Sequence, residues 1–304
     1  MPNLRLQDIL QSIQADPAAC IRQAEEAYRT KLRAVTDTLL ADKKRVVMLA
    51  GPSGSGKTTT AAMLAEMLTS AGHPTAVVSL DDFYRNPEEA GYPRNAAGEL
   101  DFEAVDALAV GEIHDCVDAI LSGREYLLPR FDFLRGRRAE ARVPLYVPED
   151  GTVIIEGLHA LNPRLTAGID SARLFRLFIS VSTNVLNEAG ERILSGRRVR
   201  FLRRLSRDFL HRNADAARTY ELWDDVVAGE EKYLYPYRGT ADCELDTFHV
   251  YEVGVLRGFD EPLLSAPGAP QTAYIDKIRA GIAHFPVLDG SLVPHTSLLR
   301  EFIA

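Results

Sequence analysis

Residues 45–58 read Arg-Val-Val-Met-Leu-Ala-Gly-Pro-Ser-Gly-Ser-Gly-Lys-Thr, and this stretch decides the fold. Its first six residues form a short apolar run of the kind that makes a parallel strand buried on both faces. The remainder satisfies the pattern G-x-x-x-x-G-K-[ST] at every fixed position from Gly51 to Thr58. The residues from Thr58 to Ser70 then have the apolar spacing of a helix. A strand, a glycine-rich turn and a helix in this order predict a phosphate-binding loop.

The chemistry of such a loop follows from its backbone. Glycines let the chain curl so that successive N–H groups point at phosphate oxygens, and the N-terminus of the helix adds a favourable dipole. Lys57 can reach the β- and γ-phosphates, and the hydroxyl of Thr58 can bind Mg²⁺. We therefore expect a nucleoside triphosphate site with ATP and Mg²⁺ as cofactors. Its predicted nucleotide-binding residues are Gly51, Ser53, Gly54, Ser55, Gly56, Lys57, Thr58 and Thr59.

Alternating strand and helix signals continue along the chain. Further strands are predicted at 75–80, 153–155, 174–181 and 248–250. Strands separated by helices imply crossover connections, so we predict an α/β fold, a P-loop NTPase-type parallel sheet flanked by helices. A helix is also predicted over 17–40, where Asp16 can cap the first turn and Pro17 is tolerated at the first position.

The composition excludes several classes of protein. The 304 residues are 46% hydrophobic and 26% charged, which is ordinary for a globular chain and excludes wholesale disorder. The net charge of −8 argues against a nucleic-acid partner, and no apolar run approaches the ~18 residues of a membrane helix. Three scattered cysteines are typical of a reducing cytoplasm, where we expect the protein to act on a small molecule. The sequence leaves open whether it forms a homo-oligomer.

Carboxylates follow two of the predicted strands. Asp81 and Asp82 come directly after the strand at 75–80, and Glu156 follows the strand at 153–155. Open α/β sheets bind their ligands at the carboxyl ends of the strands, so these side chains are candidates for catalysis and for holding the metal. A helix cap or turn remains an alternative for the Asp pair, and a satisfied polar strand end for Glu156.

An arginine-rich segment carries the strongest local charge. Gly196–Arg212 holds seven arginines and one aspartate, a net charge of +6, so the rest of the chain carries −14. A nucleic-acid surface and a solvated helix face are both open alternatives. We favour a cationic lid, because a local cluster of arginines in an acidic protein is suited to screening a transferring phosphoryl group.

These segments, in their order, resemble the uridine kinase/phosphoribulokinase family of P-loop kinases. The matching stretches are Gly51–Thr58, Ser79–Tyr84, Leu100–Glu103, Pro129–Phe133, Ile155–Pro163 and Arg203–Asp208. Trp223 and the ending at 297–303 look like a bacterial branch of uridine kinase-like nucleoside kinases. Members of that branch often carry an N-terminal threonyl-tRNA-synthetase-like domain, and here we expect only the helix over 17–40 before the kinase core.

The resemblance implies an organisation and an activity. We expect an N-terminal helical extension (1–42), a P-loop kinase domain (43–260) and a C-terminal loop and tail (261–304). The implied reaction is ATP- and Mg²⁺-dependent phosphorylation of a nucleoside 5′-hydroxyl. A P-loop kinase of another alcohol, such as a sugar phosphate or a pantothenate-like molecule, remains an alternative, as does a regulatory NTPase.

The resemblance also assigns roles to matching positions. Asp81 matches the base that takes the proton from the 5′-hydroxyl, Asp101 the carboxylate that holds the ribose hydroxyls, and Glu156 the second carboxylate near Mg²⁺. The lid arginines that match phosphate contacts are Arg204, Arg207 and Arg212. The implied catalytic residues are Lys57, Asp81, Arg204 and Arg207. The implied substrate-binding residues are Asp81, Tyr84, Asp101, Phe131, Phe133 and Arg204, and the implied metal-binding residues are Thr58, Asp81 and Glu156.

Three positions depart from the pyrimidine-selective members of the family. Phe131 and Gly136 stand where those enzymes place a tyrosine and a histidine around the base, and Ala214 replaces a further lid arginine. The departures predict that the base is held mainly by stacking, which tolerates different bases. His159 is a nearby polar alternative, although a lone histidine beside a strand end is more often structural.

Overall fold

The structure is a computed structural model that describes residues 2–95, 97–133, 135–211, 216–265 and 272–303. The strands are β1 (Asn3–Arg5), β2 (Val46–Ala50), β3 (Thr75–Ser79), β4 (Tyr126–Leu128), β5 (Phe131–Asp132), β6 (Arg137–Arg138), β7 (Val143–Leu145), β8 (Thr152–Glu156), β9 (Leu174–Ser180), β10 (Asn184–Leu186), β11 (Arg192–Leu194) and β12 (Cys243–Asp246). The helices are α1 (Leu6–Ala15), α2 (Pro17–Ala41), α3 (Lys57–Ser70), α4 (Val110–Leu121), α5 (Pro163–Thr166), α6 (Gly196–His211), α7 (Ala216–Tyr233), α8 (Glu252–Leu264), α9 (Ala273–Ile282) and α10 (Arg300–Ile303).

A five-stranded parallel sheet, in the order β12-β9-β2-β8-β3, forms the centre of the molecule. Every residue of β2 is buried, as its continuous apolar sequence predicts for a strand with neighbours on both sides and helices on both faces. The strands predicted at 45–50, 75–80, 153–155 and 174–181 are β2, β3, β8 and β9. The predicted α/β class is therefore confirmed.

The fifth strand lies earlier in the chain than the sequence predicts. Residues 248–250 are not a strand; β12 occupies Cys243–Asp246 and pairs with β9. The apolar residues around His249 instead form the turn that begins α8, where the His249 N–H donates to Glu252 Oε1 (2.8 Å). Because β12 is an edge strand, Glu244 can point to solvent, and the continuous apolar signal of a central strand is missing.

The two faces of the sheet bury two hydrophobic clusters. Along β2, Val47 and Leu49 belong to one cluster, which also takes in side chains of α2, α3, α6, α8 and α9. Val46, Met48 and Ala50 belong to the other, which is covered mainly by α4. The alternation follows from the period of two along a strand, which directs successive side chains of β2 to opposite faces of the sheet.

The N-terminal segment packs on this sheet. The helix predicted over 17–40 is α2, and the Asp16 carboxylate caps it by accepting from the Ala19 N–H (3.0 Å). β1 and α1, which the sequence did not predict, precede it, and β1 pairs with β10. Buried side chains of α2 such as Tyr28 and Leu32 share one core with α3.

The C-terminal segment, predicted as loop and tail, contains helices. α8 runs through the predicted boundary at residue 260, and α9 and α10 follow it. Leu298, Leu299 and Phe302 are fully buried in the same core as α2 and α3. One hydrophobic core takes in residues of all three predicted segments. The division at residues 42 and 260 stays a prediction. In the part of the chain that the structure describes, no helix is long and apolar enough to cross a bilayer.

Candidate active site

The loop between β2 and α3 has the backbone shape that its glycines permit. Gly54 and Gly56 adopt φ angles of 73° and 88°, which side chains other than glycine disfavour. At Gly51, a Cβ would lie 2.5 Å from the carbonyl oxygen of Ile179 on β9, so any side chain would collide with the backbone of the neighbouring strand. The three glycines of the predicted motif are therefore required by the geometry of the turn.

The first turn of α3 presents N–H donors that the helix itself does not use. The Thr60 N–H donates to the Gly56 carbonyl (2.9 Å), which is the first bond of the helix. The N–H groups of Lys57, Thr58 and Thr59 precede it and have no partner within the helix. A helix N-terminus with free N–H groups is suited to binding an anion.

A cavity of about 390 Å³ lies over the loop and collects residues from distant parts of the chain. The predicted site residues that line it are Ser53, Gly54, Gly56, Lys57, Thr58, Asp81, Tyr84, Glu156, Arg204 and Arg207. The sequence did not single out the other lining residues, Glu103, Leu158, Val226, Glu230 and Glu301. The remaining predicted loop residues, Gly51, Ser55 and Thr59, do not line the cavity; Gly51 and Ser55 are buried and Thr59 is partly buried.

Glu156 forms the floor of the cavity at the end of β8. Its Oε1 atom accepts hydrogen bonds from Ser79 Oγ (2.9 Å) and Thr58 Oγ1 (3.3 Å). Burial raises the pKa of Glu156 above its ordinary value, while the charge of Lys57 opposes this shift. Glu156 is thus a hydrogen-bonded strand end that also lines the phosphate cavity, and its role in holding the metal stays a prediction.

The oxygen atoms at this floor fit a divalent cation. Thr58, Ser79 and Glu156 supply hydroxyl and carboxylate oxygens, which are the ligands that Mg²⁺ prefers. Within the described ranges, no group of three or more His, Cys, Asp or Glu side chains could hold a metal ion by itself. A cation here would therefore complete its coordination with phosphate oxygens and water, as Mg²⁺ commonly does in nucleotide sites.

The neighbouring carboxylates Asp81 and Asp82 have different environments. Asp81 is exposed, lines the cavity, and lies at the start of a 3₁₀ turn over Leu80–Phe83. Asp82 forms an ion pair with Arg130 and is not among the residues that line the cavity. Of the two, only Asp81 faces the space above the phosphate loop.

Four of the six arginines of α6 fall into two groups. Arg204 and Arg207 line the cavity; both pair with Asp208 (3.1 and 2.9 Å), and Arg204 also donates to Ser53 Oγ (2.9 Å). Arg200 and Arg203 are instead 1% and 0% exposed. They form buried ion pairs with Glu230 (2.8 Å) and Glu252 (2.6 Å), respectively. A solvated face is therefore wrong for these two. The predicted lid residue Arg212 lies outside the described residues, as does Ala214, where the family has a further lid arginine.

Asp101 lies in a second cavity of about 520 Å³, not in the first. Its carboxylate accepts from the Tyr233 hydroxyl (2.7 Å) and from the Glu103 N–H (3.1 Å). Glu103, Arg204 and Val226 line both cavities, so the two spaces adjoin. Asp101 is therefore near the phosphate site, but Glu103 stands between them.

An aromatic cluster borders the first cavity. The ring centroid of Tyr84 lies 5.5 Å from that of Phe131 and 6.3 Å from that of Phe133. Tyr84 lines the cavity, whereas Phe131 and Phe133 contact the Tyr84 ring without lining the cavity, and Phe133 is 64% exposed. Gly136 occupies the turn between β5 and β6 with a φ of 64°, so glycine is favoured there by the turn itself.

Glu103 is a second carboxylate of the cavity with a raised pKa, and sequence reasoning missed it. Burial raises its pKa to about 7, against the opposing charge of Arg204. Its backbone carbonyl accepts from His159 Nε2 (2.9 Å), and burial lowers the pKa of His159 to about 4. His159 is thus a buried neutral side chain that supports the Glu103 backbone, in agreement with its structural interpretation. Glu103 lies in the family-like stretch Leu100–Glu103, but the resemblance assigned a role only to Asp101, and no other sequence signal pointed to Glu103.

We expect Glu103→Gln to stabilise the protein at pH 8 by up to about 3 kcal/mol and to have little effect at pH 5. The folded protein holds the Glu103 proton up to about pH 7, whereas the ordinary pKa is 4.5. Stability from this group is therefore present below pH 4.5 and is lost as the pH rises through 7. Urea unfolding at both pH values measures the difference, with the exposed Glu140→Gln as the matched control. Equal effects at pH 5 and pH 8 would contradict the raised pKa.

Residues 46–253, well over half of the chain, match the model of the phosphoribulokinase/uridine kinase family. The chain belongs to this family. Its motifs predicted the same family, and that prediction is confirmed.

Individual relatives are more distant. A chloroplastic uridine/cytidine kinase of Arabidopsis thaliana is 26% identical over 200 residues, which cover 62% of this chain and 36% of that protein. A uridine kinase of Schizosaccharomyces pombe is 25% identical over 192 residues, 61% of this chain and 36% of that protein. The chain thus spans little more than a third of these curated relatives. The structure of a possible uridine kinase from Bacillus stearothermophilus is 21% identical, with a TM-score of 0.41, over 49% of this chain and 79% of that chain.

Proposed function

We propose that this protein is an ATP- and Mg²⁺-dependent kinase that phosphorylates the 5′-hydroxyl of a nucleoside, giving a nucleoside monophosphate and ADP. One observation carries the proposal: a phosphate-binding loop, carboxylates from two strand ends and two arginines of α6 line a single cavity. Membership of a family of kinases supports phosphoryl transfer. The names of the curated relatives support a nucleoside acceptor.

The phosphate groups would be held mainly by positive charge and N–H donors. Phosphoryl transfer needs little covalent help from the protein, so catalysis is chiefly positioning and charge stabilisation. Lys57 at the loop and Arg204 and Arg207 on α6 approach the cavity from different elements, which suits a phosphoryl group with charge spread over its oxygens. Thr58 and Glu156 would hold Mg²⁺, which supplies neutralising charge to the phosphates when it is bound.

Asp81 is proposed as the general base. Its carboxylate takes the proton of the acceptor hydroxyl as that oxygen bonds to the γ-phosphorus and the bond to the ADP oxygen breaks. The position of Asp81 on the cavity wall, at the carboxyl end of β3, supports this role. Asp82 is less suited, because Arg130 already neutralises its charge.

The acceptor would occupy the two adjoining cavities, next to the aromatic cluster. Asp101 is proposed to hold ribose hydroxyls, and Glu103, which lines both cavities, is a second carboxylate within reach of the same region. Tyr84, Phe131 and Phe133 would stack on the base. Stacking contributes roughly 1–3 kcal/mol per base and discriminates weakly between bases.

A panel of nucleosides tests the proposal. With ATP and Mg²⁺, we expect phosphorylation of several nucleosides with kcat/KM values within about tenfold of one another, since stacking is tolerant of base identity. Mass spectrometry of the product identifies the acceptor. Phe131→Ala should weaken every accepted nucleoside alike, and the exposed Tyr146→Ala is the matched control.

Other outcomes of the panel are equally informative. A strong preference for uridine and cytidine would show that unidentified polar groups read the base. If only a sugar phosphate or a pantothenate-like alcohol is phosphorylated, the proposed nucleoside acceptor is wrong and that alcohol takes its place. Release of free phosphate with no phosphorylated product would favour a regulatory NTPase.

A further inference from the structure

The C-terminal helix α10 carries a carboxylate into the phosphate cavity. Glu301 Oε2 accepts hydrogen bonds from the Thr59 hydroxyl (2.7 Å) and from the Thr59 N–H (3.3 Å). The Thr59 N–H is the last of the three that α3 leaves free, and loops of this sequence use such N–H groups to cradle the α- and β-phosphates. A negatively charged group of the chain itself thus occupies a donor that suits a phosphate oxygen.

The backbone around Glu301 is firmly held. Leu298, Leu299 and Phe302 are fully buried, and the guanidinium of Arg203 lies 5.2 Å from the ring centroid of Phe302. Leu298 packs so closely on the phosphate loop that a Cβ at Gly56 would lie 2.6 Å from it. Glu301 itself is only partly buried. Its side chain can therefore rotate away from Thr59 while the helix stays docked.

The N-terminal helix α2 holds the beginning of this segment. The buried carboxylate of Glu25 accepts from Ser297 Oγ (2.6 Å) and from the Tyr251 hydroxyl. Ser297 Oγ in turn accepts from the Leu299 N–H (3.0 Å). These contacts tie α2 to the C-terminal segment and fix the position from which Glu301 reaches the phosphate loop.

We propose that Glu301 is an internal competitor for the nucleotide: its carboxylate occupies the Thr59 donors in the free protein, and a phosphate of the incoming nucleotide displaces it. The inference rests on the proposed nucleotide site. The Thr59 N–H can serve one acceptor well, and two anions at the same donor repel each other. The apparent Kd for ATP is then the intrinsic Kd divided by the fraction of molecules in which Glu301 is not bound to Thr59.

Substitutions of Glu301 measure this competition directly. We expect Glu301→Gln and Glu301→Ala to bind ATP about fivefold or more tightly than the wild type, by isothermal titration calorimetry on the full chain. Glu301→Gln keeps the shape of the side chain, so it remains informative if Glu301→Ala folds poorly. Glu66→Gln, which removes one carboxylate from the exposed face of α3, should leave the affinity unchanged.

A second ligand separates competition from a structural effect. The gain should also appear for inorganic tripolyphosphate, which has only the phosphates, and should be absent for adenosine, which has none. An unchanged or weaker affinity for ATP in both Glu301 variants, with the wild type binding ATP, would overturn this inference alone. A failure of the wild type and all variants to bind ATP or tripolyphosphate would overturn the proposed function as well.

Discussion

Replacing Lys57 by alanine should lower kcat by about 10²–10³ and leave the fold intact. Lys57 is the first residue of α3 and lines the cavity, where its ammonium donates to the Pro52 carbonyl (3.4 Å). That carbonyl is a weak partner at this distance, so the ammonium is available to phosphate oxygens. Loss of one preorganised cation from a transferring phosphoryl group removes about 3–4 kcal/mol of transition-state stabilisation.

The measurement is steady-state turnover of the accepted nucleoside at saturating ATP, with thermal unfolding to verify the fold. Lys57→Met, which keeps the aliphatic stem, should lose as much activity as the alanine variant, because the charge is what matters. The exposed Lys277→Ala on α9 is the control and should turn over like the wild type. Near wild-type turnover of both Lys57 variants would contradict the proposal that this loop binds the phosphates of ATP.

The central part of the fold could be predicted because its signals are local. β2, β8 and β9 are buried on both faces, so they read as continuous apolar runs, and the phosphate loop is contiguous in sequence. β12 could not be predicted because it is an edge strand of only four residues, of which one is buried and the others are partly or fully exposed. β1 could not be predicted because its three residues depend on pairing with β10. The paired residues Asn3 and Asn184 are 181 positions apart in the sequence.

The site residues that could be predicted lie in short segments with a recognisable motif, such as the phosphate loop and the strand ends before Asp81 and Glu156. Glu230 accepts from the Ser53 N–H (2.8 Å) across 177 positions, and Glu301 accepts from Thr59 across 242. No spacing rule links residues so far apart, so neither carboxylate could be singled out from the sequence. The net charge of the arginine-rich segment has the same weakness as a predictor. A count of arginines does not distinguish Arg200, in a buried ion pair, from Arg204 on the cavity wall.

Asp81→Asn should reduce kcat by about 10²–10⁴ while ATP still binds with near wild-type affinity. The substitution keeps the shape of the side chain and removes its ability to accept the hydroxyl proton. Asp81 is exposed on the cavity wall, so the change leaves no buried charge without a partner. The fold should therefore be preserved, and the loss should appear in the chemical step.

Asp82→Asn is the matched control, because it makes the same chemical change one residue away. Asp82 is paired with Arg130 outside the cavity lining, so its substitution should affect turnover by less than about tenfold, the effect of an ion pair near the surface. Single-turnover kinetics with calorimetric ATP binding distinguishes the two roles of Asp81. A collapse of ATP affinity with a normal residual rate would make Asp81 a metal or structural residue. A large loss of turnover in Asp82→Asn alone would transfer the role of base to Asp82, the other carboxylate of the 3₁₀ turn over Leu80–Phe83.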